Sequence, residues 1–272
     1  MKSFSISTVI TLLSLPGLAS ADFTLTTEFT VNPSGLQAGI TFDGTNWHIG
    51  DAFEDTFFNY DADFTFLGTT AVTGVGDMRG MTYDSNSGNL FVGDYESGIV
   101  REVTVGGVEI QQFSTGVVDD LNALAFNPAD DSIWLAYFDS GVVENRTRTG
   151  TLISSFVTPE NWTGLAYDGF NNSLLLLETG DTLFEYQTDG VLIGEIIDTD
   201  IITGNGFGLA YDSSIGRLWV TSTDTTGRIT IFDDPSRVPE PGGSALLAAC
   251  VALLFSSRRR RCALRVKEVS SG

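Results

Sequence analysis

An all-β chain of five four-stranded blades closed into a ring is what this sequence predicts, and three observations carry that reading. A five-residue motif recurs five times at near-constant spacing. Each copy is followed by the same succession of short strands and turns. The two ends of the array are complementary fragments of one unit.

The motif reads Gly39-Ile-Thr-Phe-Asp43, Gly80-Met-Thr-Tyr-Asp84, Ala123-Leu-Ala-Phe-Asn127, Gly164-Leu-Ala-Tyr-Asp168 and Gly208-Leu-Ala-Tyr-Asp212, with starts 41, 43, 41 and 44 residues apart. A polar turn follows each copy, then a short apolar strand such as Leu90–Val92, Ile133–Leu135, Leu174–Leu177 or Leu218–Val220. An alternating third strand comes next (99–103, 142–146, 182–186, 228–232), and a Gly- or Asp-bearing hairpin leads to a fourth (107–113, 150–156). Four short strands per repeat of this length, without helical periodicity, is the signature of a propeller blade. The motif strand is innermost, and its small first residue suits an axis where backbones crowd.

The fifth unit stops after its third strand, near Asp233-Asp234-Pro235. A spare strand stands at the other end, residues 22–31, similar in sequence to the fourth strand 63–72. Pairing the two would close the ring and cover two open edges. An unclosed solenoid is the alternative. The repeated Gly-Leu-Ala-Tyr-Asp and Leu-Trp-Val units resemble those of the NHL, SMP-30-like and YncE-like propellers, a group in which one fold serves enzymes and binding modules alike.

The ends read as addresses. Met1–Ala21 has a positive start (Lys2), an apolar core from Val9 to Leu18 and a small-x-small cleavage site, Ala19-Ser20-Ala21, as in a secretory signal peptide. Residues 22–235 are the propeller. Residues 236–272 hold Pro239-Glu240-Pro241, an apolar run from Ala245 to Phe255, and Arg258-Arg259-Arg260-Arg261. The order is an extended breaker, a hydrophobic transmembrane helix and a cytoplasmic basic stop. The 16 residues from Gly242 to Ser257 fall short of the roughly 20 that span a bilayer comfortably. This tail resembles the PEP-CTERM sorting signal of Gram-negative bacteria. The resemblance implies processing by an exosortase-type membrane enzyme and delivery to the cell surface or extracellular matrix. Residues 262–272 depart from it, since such signals usually stop soon after the arginines. A plain C-terminal anchor is the alternative.

Composition narrows the chemistry. With 30 Gly, 7 Pro, 11% aromatics and only 18% charged residues, the chain is neither disordered nor a coiled coil. Of its 14 Lys and Arg, six lie between residues 22 and 235, all arginine, against 33 acids there, a net charge of −27. Such a surface repels phosphate backbones and excludes nucleic acid. Cys250 and Cys262 both sit in the tail, so the body has no disulfide, thiolate nucleophile or cysteine-ligated zinc. Without lysine it forms no Schiff base, and a serine triad would rest on the single histidine, His48, in a strand where a half-buried structural role is the default.

Loops entering strand one and loops between strands two and three share one face, here called upper. Three residues before each motif stand Leu36, Asp77, Asp120, Asn161 and Asn205; the two-to-three turns add Asp94, Glu96, Asp139, Asp181 and Asp224. Hard oxygen donors from several loops suit Ca²⁺, which takes 6–8 of them, with Asp77 and Asp120 the leading ligands. The competing reading is that Asp and Asn simply cap nearby backbone amides. Arg79, the cation beside that rim, is either a substrate clamp or a charge neutraliser. Asp43, Asp84, Asp168 and Asp212, repeated at the lower one-to-two turns, read as structural. The Asn-x-Ser/Thr triplets at 145, 161 and 171 are taken as chance.

The expectation is an exported, acidic, non-enzymatic binding module for matrix polysaccharide or a surface protein, with Ca²⁺ as a possible bridge. A Ca²⁺-dependent lactonase or glycosidase-like hydrolase and a purely structural surface protein are the alternatives.

Overall fold

Each blade grades from a dry inner strand to a wet outer one. The computed structural model describes residues 23–30, 36–179, 182–197, 206–222 and 227–234, and among them every regular element is a strand. The leader with Ala19 and Ala21, and the tail with Pro239, Glu240, Pro241, Arg258, Arg259 and Arg260, lie outside the described residues. Blade one holds β2 (Leu36–Phe42), β3 (Trp47–Ala52), β4 (Thr56–Tyr60) and β5 (Phe66–Ala71). Blade two holds β6 (Met78–Asp84), β7 (Asn89–Asp94), β8 (Ile99–Val103) and β9 (Glu109–Ser114). Blade three is β10 (Leu121–Asn127), β11 (Ser132–Tyr137), β12 (Val142–Thr147) and β13 (Leu152–Val157). Blade four is β14 (Trp162–Asp168), β15 (Ser173–Glu178), β16 (Leu183–Gln187) and β17 (Leu192–Ile197). Blade five joins β18 (Gly206–Asp212), β19 (Arg217–Ser222) and β20 (Arg228–Asp233) to β1 (Thr24–Thr30).

β10 and β11 are buried at every position, whereas β9 shows the exposed-to-intermediate alternation of an outer strand. Inner and second strands are packed on both faces by neighbouring blades, which is why they read as continuous apolar runs.

β1 runs antiparallel to β20 from Thr24 opposite Asp233 to Thr30 opposite Arg228, so the first described strand completes the last blade. Phe23 pins it, buried in the cluster with Leu218, Val220 and Phe232. On the inside, the Thr221 hydroxyl donates to the Ala38 carbonyl at 2.7 Å, joining blade five to blade one.

The first motif position faces the next blade at backbone distance. A Cβ on Gly39 would meet the Met81 nitrogen at 2.5 Å, and one on Gly208 the Ala38 carbonyl oxygen at 2.1 Å. A larger side chain there would force adjacent blades apart. Just before it, each inner strand carries a register shift, at Gln37/Ile40, Met78/Gly80, Leu121/Ala123, Trp162/Gly164 and Gly206/Leu209. A bulge repeated at one place in all five blades re-aims the side chain it carries. Those side chains include Arg79 and Phe207.

Candidate functional site

The five motif acids and amides do one local job. The Oδ1 atoms of Asp43, Asp84, Asn127, Asp168 and Asp212 accept the amides of Thr45, Asn86, Ala129, Phe170 and Ser214, respectively, two residues on. These Asx turns fold strand two back on strand one. Burial pushes the Asp43 carboxyl up, but the Asn46 amide, His48 and the Thr45 amide outweigh it and hold it below the usual carboxylate range. His48 is buried, with Nδ1 2.7 Å from Asn59 Oδ1 and Nε2 3.0 Å from Asp43 Oδ2. It serves the blade.

On the upper face, the carbonyl of the residue leading into strand one accepts the amide just after strand two. Tyr95 donates to Asp77 at 2.9 Å, Phe138 to Asp120 at 2.9 Å and Thr179 to Asn161 at 3.1 Å. The carboxylates are occupied too. Asp77 accepts the Arg79 Nε at 3.0 and 2.9 Å and the Phe53 amide at 3.3 Å, with Arg79 Nη2 2.8 Å away. Asp120 accepts the Asp139 amide at 2.5 Å, and Asp94 the Ser97 hydroxyl at 2.5 Å. Among the described residues no group of three or more His, Cys, Asp or Glu is placed to hold a metal ion. Asp77 and Asp120, the expected Ca²⁺ ligands, are thus each bonded to groups of the protein itself. The Leu36 side chain and Asn205, Asp181 and Asp224 lie outside the described residues.

Arg79 is where this face becomes unusual. Its guanidinium carbon lies 3.5 Å over the Tyr95 ring and 5.7 Å from the rings of both Phe53 and Phe207. Phe207 belongs to blade five, which does not adjoin blade two, so this contact reaches over the axis. Burial pushes the Tyr95 phenol up, Arg79 pulls it down, and Asp139, Asp120 and Asp119 leave it raised.

The opposite mouth is open. A cavity of about 370 Å³ sits at the lower end of the axis, rimmed by one aromatic per blade: Phe42, Tyr83, Phe126, Tyr167 and Tyr211. Phe126 wedges against the preceding blade, 6.2 Å from Phe91. Met81, Leu124, Leu165 and Leu209 line both this cavity and a space of only about 10 Å³ above them, so they plug the axis. Asp212 is the one carboxylate among the cavity-lining residues, and its Oδ1 accepts both the amide and the hydroxyl of Ser214.

The sequence points to the upper mouth for a ligand site, and a cavity is present at the lower mouth as well. At the upper mouth the bulges bring Arg79 and Phe207 together across the axis. The aromatic fourth position of the motif was visible in the sequence as a repeat. Its role as a rim was not, because a wedge between blades and a cavity wall share one pattern.

No protein-family model and no curated protein matches the chain. Among solved structures, a protein of unknown function from Bacteroides caccae is similar over 71% of this chain and 72% of its own, with a TM-score of 0.51 and 14% identity. At that identity the similarity shows the fold alone.

Proposed function

We propose that the chain is an exported, acidic propeller that binds a ligand without transforming it, and that the lower cavity is its seat. The observation that carries this is the cavity itself: about 370 Å³, within the usual size of small-molecule sites, with an apolar floor and five aromatic edges. Burial of a ring or chain against that floor supplies affinity by apolar contact and stacking. Catalysis would need a nucleophile, base or acid aimed at a bound group; the one carboxylate of the lining, Asp212, has its Oδ1 held by Ser214. The leader and the PEP-CTERM-like tail support delivery to the cell surface or matrix by exosortase-type processing. There, a body charge of −27 favours solubility.

The neutral fluorophore N-phenyl-1-naphthylamine tests the seat. Its emission should rise and saturate at one equivalent, with quenching of tryptophan fluorescence, because Trp47 and Trp219 line the cavity. Ser213→Trp, at the mouth, should abolish both signals. Nitrophenyl esters and glycosides should be left intact; turnover removed by Asp212→Asn would reverse the reading.

A further inference from the structure

We propose that the upper mouth holds a second, separate site, a seat for a neutral sugar ring that stacks on Phe53 and receives hydrogen bonds from Arg79. Four positions follow strand two in successive blades: Phe53, Tyr95, Phe138 and Thr179. The last three donate their amides to the leading carbonyl of their own blade. Phe53 instead sends its amide across to the Asp77 carboxylate of the next blade, at 3.3 Å. To do so it adopts φ of 79°, a left-handed conformation that strains a residue with a Cβ. The product of that strain is a phenyl ring 62% exposed beside the axis. Its three counterparts show how the position folds without the strain.

The exposed ring stands next to an unfinished polar group. Arg79 commits Nε and Nη2 to Asp77, while among the described residues Nη1 makes no hydrogen bond. Tyr95 below and Phe207 opposite fix the guanidinium plane. A stacking surface, a fixed N–H donor and nearby carboxylate acceptors match a pyranose, which has an apolar C–H face and a polar hydroxyl edge. Charge excludes the alternatives. An anion would meet Glu96, Asp119, Asp120 and Asp139, and a cation would compete with Arg79. A purely apolar ligand would cover Nη1 without satisfying it.

The test uses the full-length protein and a panel of neutral gluco-, manno- and galacto-configured hexasaccharides, read by isothermal titration. At least one should bind, and Arg79→Gln should weaken it at least tenfold. Phe53→Gly is the decisive variant, because glycine accepts φ of 79° freely: it should leave the melting temperature unchanged or raised while abolishing sugar binding. Ser213→Trp, which blocks the lower cavity, should leave sugar binding intact, so the two sites fail independently. Sugar binding retained in Phe53→Gly, or lost only in Ser213→Trp, would overturn the proposal. So would binding of a neutral Trp/Tyr-rich hexapeptide with no hexasaccharide bound, which would make the platform a protein contact.

Discussion

Phe23→Ala tests the closure on which the ring depends. β1 is exposed along most of its length, with Phe29 the half-buried exception, 5.1 Å from Phe64. Phe23, just before it, is the anchor: 6% exposed, packed in the core of blades four and five, and 6.0 Å from Tyr211 in an edge-to-face arrangement. Truncating a buried Phe costs about 3–5 kcal/mol. The lower end applies here because Phe23 lies outside the paired strand, where the backbone can relax into part of the void. About 3 kcal/mol in a domain of this size is a fall of roughly 6–12 °C in melting temperature. The loss should also be local. With β1 released, the outer edge of β20 is left unpaired, so amide exchange across Arg228–Asp233 should accelerate more than in β10 or β11. Hydrogen-exchange mass spectrometry alongside urea unfolding reads both effects. An unchanged midpoint with unchanged protection in β20 would show that the opening strand does not hold the ring.

Two further outcomes follow from buried groups. Arg148 of blade three donates to the Asp84 carboxylate at 2.7 Å and to Ser87, with Glu102 at 3.4 Å. Arg148→Ala strands two buried acids and should cost about 3 kcal/mol or more in urea unfolding; adding Asp84→Asn should recover part of it, and a cost under about 0.5 kcal/mol would refute the clamp between blades two and three. Burial pushes Tyr60 up to about 12, and burial followed by Glu160 pushes Tyr186 up to about 12. Their neutral forms therefore stabilise the fold fully below the ordinary value near 10, and that contribution is lost as pH rises from there through 12. The tyrosinate absorbance missing from Tyr60→Phe should appear near pH 12; its appearance near pH 10 with circular dichroism intact would contradict the burial.

The blades were legible because each repeated residue answers a repeated constraint. Gly39 and Gly208 meet a neighbouring backbone, Asp43 and Asp212 cap a turn, and the run Ile133–Leu135 is dry on both faces. The rim was legible as a list of acids and not as chemistry. Nothing in the spelling of Asp77 or Asp120 says whether a carboxylate is spent on an amide two turns away, and both are. The cluster at Arg79 was hidden for a different reason. Phe53, Tyr95 and Phe207 come from blades one, two and five and meet only through the ring. The available signal was an aromatic, rather than a turn former, at 53, 95 and 138.

Repetition also supplies an internal control. A residue that behaves alike in every blade is explained by the blade, as the Asx turns and inner-strand bulges are. A residue that departs from its counterparts at a cost in strain needs a cause of its own. The lower cavity is rimmed by the repeated aromatic position of the motif, one ring from each blade. Such a rim grips an apolar body by contact and stacking. The upper mouth breaks the symmetry at Phe53 and Arg79, and the break lies on one side of the axis, between blades one and two. A directional contact therefore belongs at the upper mouth and a non-directional one at the lower. On this geometry the two faces of one disc would bind by different physics: stacking plus a fixed donor above, apolar burial below.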